Sequence, residues 1–295
     1  MVSRQAQMFW NLLRVAPKQV DLPIAQRREA GEHAEDATAE PTGVTYRPAP
    51  EVGGFVALPE GPPPPSAILY LFGGGYMLGS PASRRKTAGH LAKACQTRVL
   101  VPAYRLAPEH PFPAALDDAV LAYRWLLSQD VKASKVIIAG DSSGGGLAFA
   151  TALALKRQGL DQPAGIIGLS PWADLTCQGA SMDECAERDI ECTRVSLLQM
   201  AQWYLAGASP AQPLASPVLG DLSGLKSVLC LVGSEEILLD DSVRLVRNAG
   251  LAGTDATLHV APGMQHIYPI WAGAFPEADE AISMIASWAR CRLGN

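Results

Sequence analysis

The sequence predicts an α/β fold in which helices cover both faces of a mostly parallel sheet. Three observations carry this. Short, continuously apolar runs recur along the chain as "AILYLF", "RVLVPAY", "KVIIAG", "AGIIGLS", "SVLCLVG" and "ATLHVAP". Helical patterns lie between them, most plainly "PAALDDAVLAYRWLLSQ" and "GGGLAFATALALKRQ". In "VIIAGDSSGGGLAFATALAL" a strand meets a glycine cluster and turns at once into a helix. Apolar strands that alternate with helices belong to parallel sheets, because the crossover helices shield both faces from water.

The N-terminal "MVSRQAQMFWNLLRVAPKQV" lacks an uninterrupted apolar core and a small-residue cleavage site, so it is not read as a secretory signal. Met8, Phe9, Leu12, Leu13 and Ala16 recur there at helical spacing, which predicts a helix packed by that face on its own protein. "GVTYRPA" and "GGFVALPE" flank a Pro/Gly turn and predict an antiparallel pair at one sheet edge. "EGPPPPSA" is a rigid connector into the first parallel strand. Residues 181–206 fall outside the alternation and are read as helical and rich in large apolar groups. Met200, Trp203 and Tyr204 in that insertion are either core or the lining of a lid over a site.

A net charge of -5 favours no polyanionic partner, which excludes nucleic acid as the first reading. The hydrophobic fraction of 48% is that of a well-filled globular core. No apolar run reaches the ~18 residues needed to cross a bilayer, and no stable membrane insertion is expected. The six cysteines form no C-x-x-C pair, and Cys177, Cys185 and Cys192 fit no zinc spacing. Reduced thiols in a cytoplasmic protein are the simpler account, with no metal and no organic cofactor. Homodimerisation stays open.

The strand–glycine–helix junction could cradle a phosphate or hold up a nucleophile. Spacing separates the two. A dinucleotide fingerprint needs a third glycine where Phe149 stands, and a Walker loop needs a lysine earlier than Lys156. The near-match to a trypsin-like "GDSGG" belongs to all-β proteins, with no helix after the serine. Gly140-Asp141-Ser142-Ser143-Gly144 does satisfy G-x-S-x-G, in which the central serine sits on a strained corner. A serine nucleophile needs a base, an acid and oxyanion donors. Of the five histidines, His266 follows the last strand at its C-terminal end, where open parallel sheets place their ligands. His33, His90, His110 and His259 lie in less suitable segments. The acid is one of Glu235 and Glu236 in "CLVGSEEILLDD", since Asp240 and Asp241 open the next helix. The glycines of "LFGGGYMLGS" supply backbone donors that can approach a ligand closely.

"YRLAPEHPFPAALDDAVLAYRWL", "AGDSSGG", "SPWADLT", "ASPVLGDLSGL" and "PGMQH" occur in one order and spacing. In this the chain resembles the hormone-sensitive-lipase-like esterases of the alpha/beta-hydrolase fold, from about Ser66 onward. The resemblance implies a serine carboxylesterase for short-chain acyl esters that works through an acyl-enzyme, with a small-molecule ester as its partner. It implies a nucleophile at Ser142, a base at His266 and an acid at Glu236. Glu236 stands where the family has the acid of G-x-x-D-P-L. The implied oxyanion donors are the N–H groups of Gly74, Gly75 and Ser143. Residues 1–42 and 181–206 then look like the family's cap, over a core of 43–180 and 207–295. Three positions depart from the family. Phe72 replaces the histidine of H-G-G-G, which puts the bracing of that loop in doubt. Ser143 replaces the commoner alanine, and Lys226-Ser227 replaces two prolines. The alternatives are a non-catalytic receptor of the same fold, as in the plant gibberellin receptor, and an amidase or lactonase. The presence of His266 weighs against the receptor.

Overall fold

The computed structural model describes residues 2–16, 22–33, 35–62 and 64–294. The apolar runs become strands of one eight-stranded sheet. In chain order they are β1 (Val44–Ala49), β2 (Gly54–Pro59), β3 (Ala67–Leu71), β4 (Arg98–Val101), β5 (Val136–Asp141), β6 (Gly165–Leu169), β7 (Ser227–Gly233) and β8 (Asp255–Ala261). Across the sheet the order is β1-β2-β4-β3-β5-β6-β7-β8. The pairings β1–β2 and β2–β4 are antiparallel, and the rest are parallel. Every residue of β3, β5, β6 and β7 is buried, which is why these strands read as unbroken apolar runs. β8 closes the far edge and stays largely open to solvent.

The helices are α1 (Arg4–Val15), α2 (Ile24–Glu32), α3 (Arg85–Cys95), α4 (Ala114–Ser128), α5 (Ser143–Arg157), α6 (Ser181–Glu184), α7 (Arg194–Leu205), α8 (Leu239–Leu251) and α9 (Pro276–Leu293). α5 is buried from Ser143 to Leu155, so its sequence is small and apolar all round rather than striped. Its first turn lies directly on β3. A Cβ on Gly144 would sit 2.1 Å from the Leu71 carbonyl oxygen and 2.4 Å from that of Phe72.

Two local expectations are corrected. α1 does not bury the face of Met8 and Leu12, which are 57% and 66% exposed. It buries Ala6 and Trp10, with Phe9 and Leu13 packed partly against the core. The large rings decide the face: Phe9 lies 4.8 Å from Trp271, and Trp10 lies 5.2 Å from Phe275. Residues 181–206 are not continuously helical either, since a non-helical stretch separates α6 from α7. The carboxylate of Asp189 accepts from the N–H groups of Glu191 (2.9 Å) and Cys192 (2.8 Å), which takes those donors out of a helical ladder, and it also holds the Ile237 N–H (2.9 Å). α7 then restarts on a capping box between Thr193 and Ser196.

At the start of α8, which packs on β7 and β8, a buried carboxylate shapes the loop that follows β6. Asp241 Oδ2 accepts from the N–H groups of Ala173 (2.7 Å) and Asp174 (2.8 Å), while Oδ1 has no partner among the described residues. Burial pushes this carboxyl up to about 8 despite those two donors. The folded state therefore holds a proton on Asp241 that the unfolded chain releases near ~4. The resulting stabilisation is complete below that value and is lost as the pH rises through about 8. Asp241→Asn keeps an acceptor for both N–H groups and cannot ionise. In thermal melts from pH 5 to 9 the variant should gain on the wild type by up to ~1.4 kcal/mol per pH unit. A stability gap that does not change with pH would refute this.

Candidate active site

β5 ends at Asp141 and α5 begins at Ser143, leaving Ser142 alone on the corner with φ 53° and ψ -124°. A non-glycine residue there costs on the order of 1–3 kcal/mol and persists only where its surroundings fix it. Here the Ser142 N–H donates to the Leu169 carbonyl (2.9 Å), and its own carbonyl accepts from Gly146 (3.1 Å) and Trp172 (2.9 Å). The corner thus lifts the side chain clear of both the sheet and the helix.

His266 Nε2 lies 3.0 Å from Ser142 Oγ, and its Nδ1 lies 2.8 Å from Glu236 Oε2. The other oxygen of Glu236 accepts from the Gly233 N–H (2.6 Å) and the Ser170 hydroxyl (2.7 Å). Ser170 in turn accepts from the N–H of Ile267, next to the imidazole, at 2.9 Å. Sequence reading quoted the "SPWADLT" segment but gave Ser170 no part. Of the two candidate glutamates, Glu235 points elsewhere, accepting from Ser234 (2.7 Å) and pairing with Arg188 (3.0 Å). His33 pairs with exposed Asp36, and His90 bonds the Ala39 carbonyl. Burial works against a charged His266, while the Cys192 thiol and Glu236 favour the charge, and the balance lifts the imidazole well above its ordinary value. Burial pushes the Cys192 thiol itself up to about 11.

The N–H groups of Gly74, Gly75 and Ser143 donate to no group among the described residues. Gly74 has φ 129°, and a Cβ there would fall 2.3 Å from the Leu78 carbonyl oxygen, so this turn requires glycine. Phe72, just ahead of the glycines, stacks on Tyr104 with ring centroids 4.1 Å apart. The Tyr104 hydroxyl donates to the Phe72 carbonyl at 2.6 Å. The Ser143 hydroxyl accepts from the Tyr76 N–H at 3.2 Å, and Arg28 Nε reaches the Met77 carbonyl at 2.9 Å. Bracing that the sequence left in doubt thus comes from an aromatic stack and from hydroxyls the sequence did not single out. Below the loop, buried Asp141 accepts from Tyr70 (2.9 Å) and pairs with buried Arg84 (2.8 Å).

A cavity of about 190 Å³ opens on Ser142, with Gly74, Gly75, His266, Leu197 and Met200 among its walls. Met200 packs over Gly75, where a Cβ would meet its sulfur at 2.2 Å. The other two aromatic residues proposed for the pocket do not line it. Tyr204 continues along the same face of α7 beyond the cavity and stacks on Tyr76 at 3.8 Å, while its backbone carbonyl accepts from the Phe112 N–H at 2.7 Å. Trp203 lies on the other flank of the helix and is 38% exposed.

A serine raised on a strand–helix corner, backed by imidazole and carboxylate over a largely parallel sheet, is the arrangement of the α/β hydrolases. Residues 68–270 match the alpha/beta hydrolase fold family, and the chain belongs to it. It is 40% identical over 278 residues to an acetyl-hydrolase of Streptomyces hygroscopicus, covering 89% of this chain and 93% of that one. It is 33% identical to an ethyl acetate hydrolase of Pseudomonas putida, over 75% of this chain and 71% of the relative. Among solved structures, a hormone-sensitive lipase from a metagenome library superposes with a TM-score of 0.92 at 39% identity, covering 99% of each chain.

Removing the Tyr104 hydroxyl should loosen the glycine loop without touching the serine. Tyr104→Phe leaves a buried carbonyl unpaired, which should cost about 1–3 kcal/mol in stability. Steady-state kinetics should then show kcat falling several-fold with KM little changed, because donors that must order during the reaction stabilise an oxyanion less well. An unchanged kcat would mean the loop is held without Tyr104.

Proposed function

We propose that the protein is a carboxylic ester hydrolase for short-chain acyl esters that works through an acyl-enzyme on Ser142. The observation that carries this reading is the hydrogen-bonded line from Ser142 through His266 to Glu236, beside backbone N–H groups with no partner. His266 Nε2 takes the hydroxyl proton as Ser142 Oγ bonds to the ester carbonyl carbon. The carbonyl electrons move onto oxygen, which the N–H groups of Gly74, Gly75 and Ser143 receive. Collapse breaks the bond to the alcohol, which leaves with the proton from His266. Water repeats the sequence on the acyl-enzyme, releases the acid and returns the proton to Ser142. Glu236 accepts from Nδ1–H, which fixes the tautomer and offsets the charge on the imidazolium.

The size of the cavity supports a small acyl group, as do relatives named as hydrolases of acetyl groups and of ethyl acetate. Residues 1–42 and 181–206 serve as the cap over this cavity. No helix among the described residues is long and apolar enough to cross a membrane. All six cysteines are unpaired, in keeping with a reducing compartment, and we place the protein in the cytoplasm.

Hydrolysis of p-nitrophenyl esters of graded acyl length tests the proposal. Acetate to butyrate should be preferred over long chains, and Ser142→Ala should abolish turnover while keeping the melting temperature. An inert wild type would refute the proposal and favour a receptor.

Glu236→Gln should lower kcat by ~10³-fold or more. Glu235→Gln removes only a partly exposed ion pair and should stay within a few-fold of wild type. Activity needs neutral His266, so kcat/KM should rise with pH, with its midpoint above the ordinary imidazole value of about 6.5. In Glu236→Gln the residual activity should have a lower midpoint, because the anion that holds the proton is gone. A midpoint that did not move would separate Glu236 from the base.

A further inference from the structure

α2 carries two consecutive arginines with opposite surroundings. Arg28 is fully engaged, with Nε on the Met77 carbonyl (2.9 Å), one terminal nitrogen on Ala107 (3.0 Å) and a two-pronged pair with Glu109 (2.9 and 2.7 Å). Arg27 is only 8% exposed and lines the cavity that holds Ser142. Its backbone N–H donates to the Pro23 carbonyl within the helix, but among the described residues its side chain has no hydrogen bond, no ion pair and no ring contact. The other charged groups on that cavity do not change this. Arg84 is neutralised by Asp141, Glu191 is exposed and forms no ion pair with Arg27, and His266 faces Glu236.

An arginine side chain carries a fixed positive charge, and here it meets the cavity rather than a partner of its own. Its donors, arranged in a fixed fork, match a carboxylate better than any neutral group. We infer that Arg27 recognises an anion and that the site favours esters carrying a carboxylate on the part of the substrate this cavity encloses. The half-ester of a short dicarboxylic acid is the simplest such molecule. The ester linkage rests on the function proposed above, whereas recognition of the carboxylate rests on Arg27 alone.

Two isosteric pairs test the inference. Monoethyl glutarate and its methyl-ketone analogue place the charge on the acyl side. Para-acetoxybenzoate and para-acetoxyacetophenone place it on the alcohol side. For at least one pair, the charged-to-neutral ratio of kcat/KM should fall about 10- to 100-fold in Arg27→Met, as expected for a lost charge-assisted bond. Arg27→Lys should keep part of the ratio, because the charge remains and the fork does not. Ratios that stay the same across all three proteins would overturn the inference. A second measurement is independent of turnover and of whether Arg27→Met folds. By calorimetry, the Ser142→Ala protein should bind a charged member of these pairs at least tenfold more tightly than its ketone. Equal binding for both pairs would overturn the inference even in an active esterase. A charge preference in a protein inert toward p-nitrophenyl acetate would uphold it while removing the proposed function.

Discussion

The site depends on the backbone of Ser142. A residue held at φ 53° belongs to neither the strand before it nor the helix after it, and the chain must be clamped from both sides to stay there. The clamps are the Leu169 carbonyl at the end of β6, the first turn of α5, and the Trp172 N–H in the next loop. Each comes from an element that the parallel sheet sets beside β5. The close approach of Gly144 to the carbonyls of Leu71 and Phe72 brings β3, and the glycine loop that follows it, up to the same corner. One strained residue thus fixes the spacing between the Ser142 side chain and the unpartnered N–H groups beside it.

Two buried carboxylates hold the rest in place, and each is paired from more than one element. Asp141 is shared by Tyr70 and Arg84, so β3, β5 and the start of α3 meet at one carboxylate. Glu236 is shared by His266, Ser170 and Gly233, which joins the ends of β6 and β7 to the loop after β8. In a low-dielectric interior such networks are rigid while every member is satisfied, and removing one partner strands the others. This accounts for the separate fates of the adjacent glutamates. Glu236 is wholly buried in such a network, and Glu235 sits in a partly exposed pair with Arg188.

The sequence made the sheet legible because buried parallel strands leave a local signature. It made Ser142 and His266 legible as candidates because each follows a strand, whereas only the family resemblance singled out Glu236 over Glu235. What it could not convey were contacts between distant segments. Ser170 matters through partners 66 and 97 residues away. Tyr104 braces a carbonyl 32 residues earlier. The break between α6 and α7 comes from the Asp189 side chain capturing the N–H groups of Glu191 and Cys192, and the same carboxylate reaches Ile237, 48 residues on. In α7 the periodicity singled out Met200, Trp203 and Tyr204 together, but a helix presents these three to different surroundings. In α1 the same periodicity chose Met8 and Leu12 over the face that Trp10 buries.

Phe72 shows how the loop can dispense with the histidine that the resemblance led one to expect there. An imidazole braces a loop by directed bonds, whereas a phenyl ring can only fill space. Here the filling is directional all the same, because the partner ring belongs to a tyrosine whose hydroxyl returns to the Phe72 carbonyl. The stack and the hydrogen bond involve the same pair of residues, so each restricts the freedom that the other would leave. A further tie comes from α2, where Arg28 bonds Met77 at the end of the loop while its neighbour Arg27 faces the cavity. A shift of this helix would therefore move the Met77 carbonyl and the Arg27 side chain together. One turn of α2 is thus tied both to the cavity and to the segment that follows the glycines.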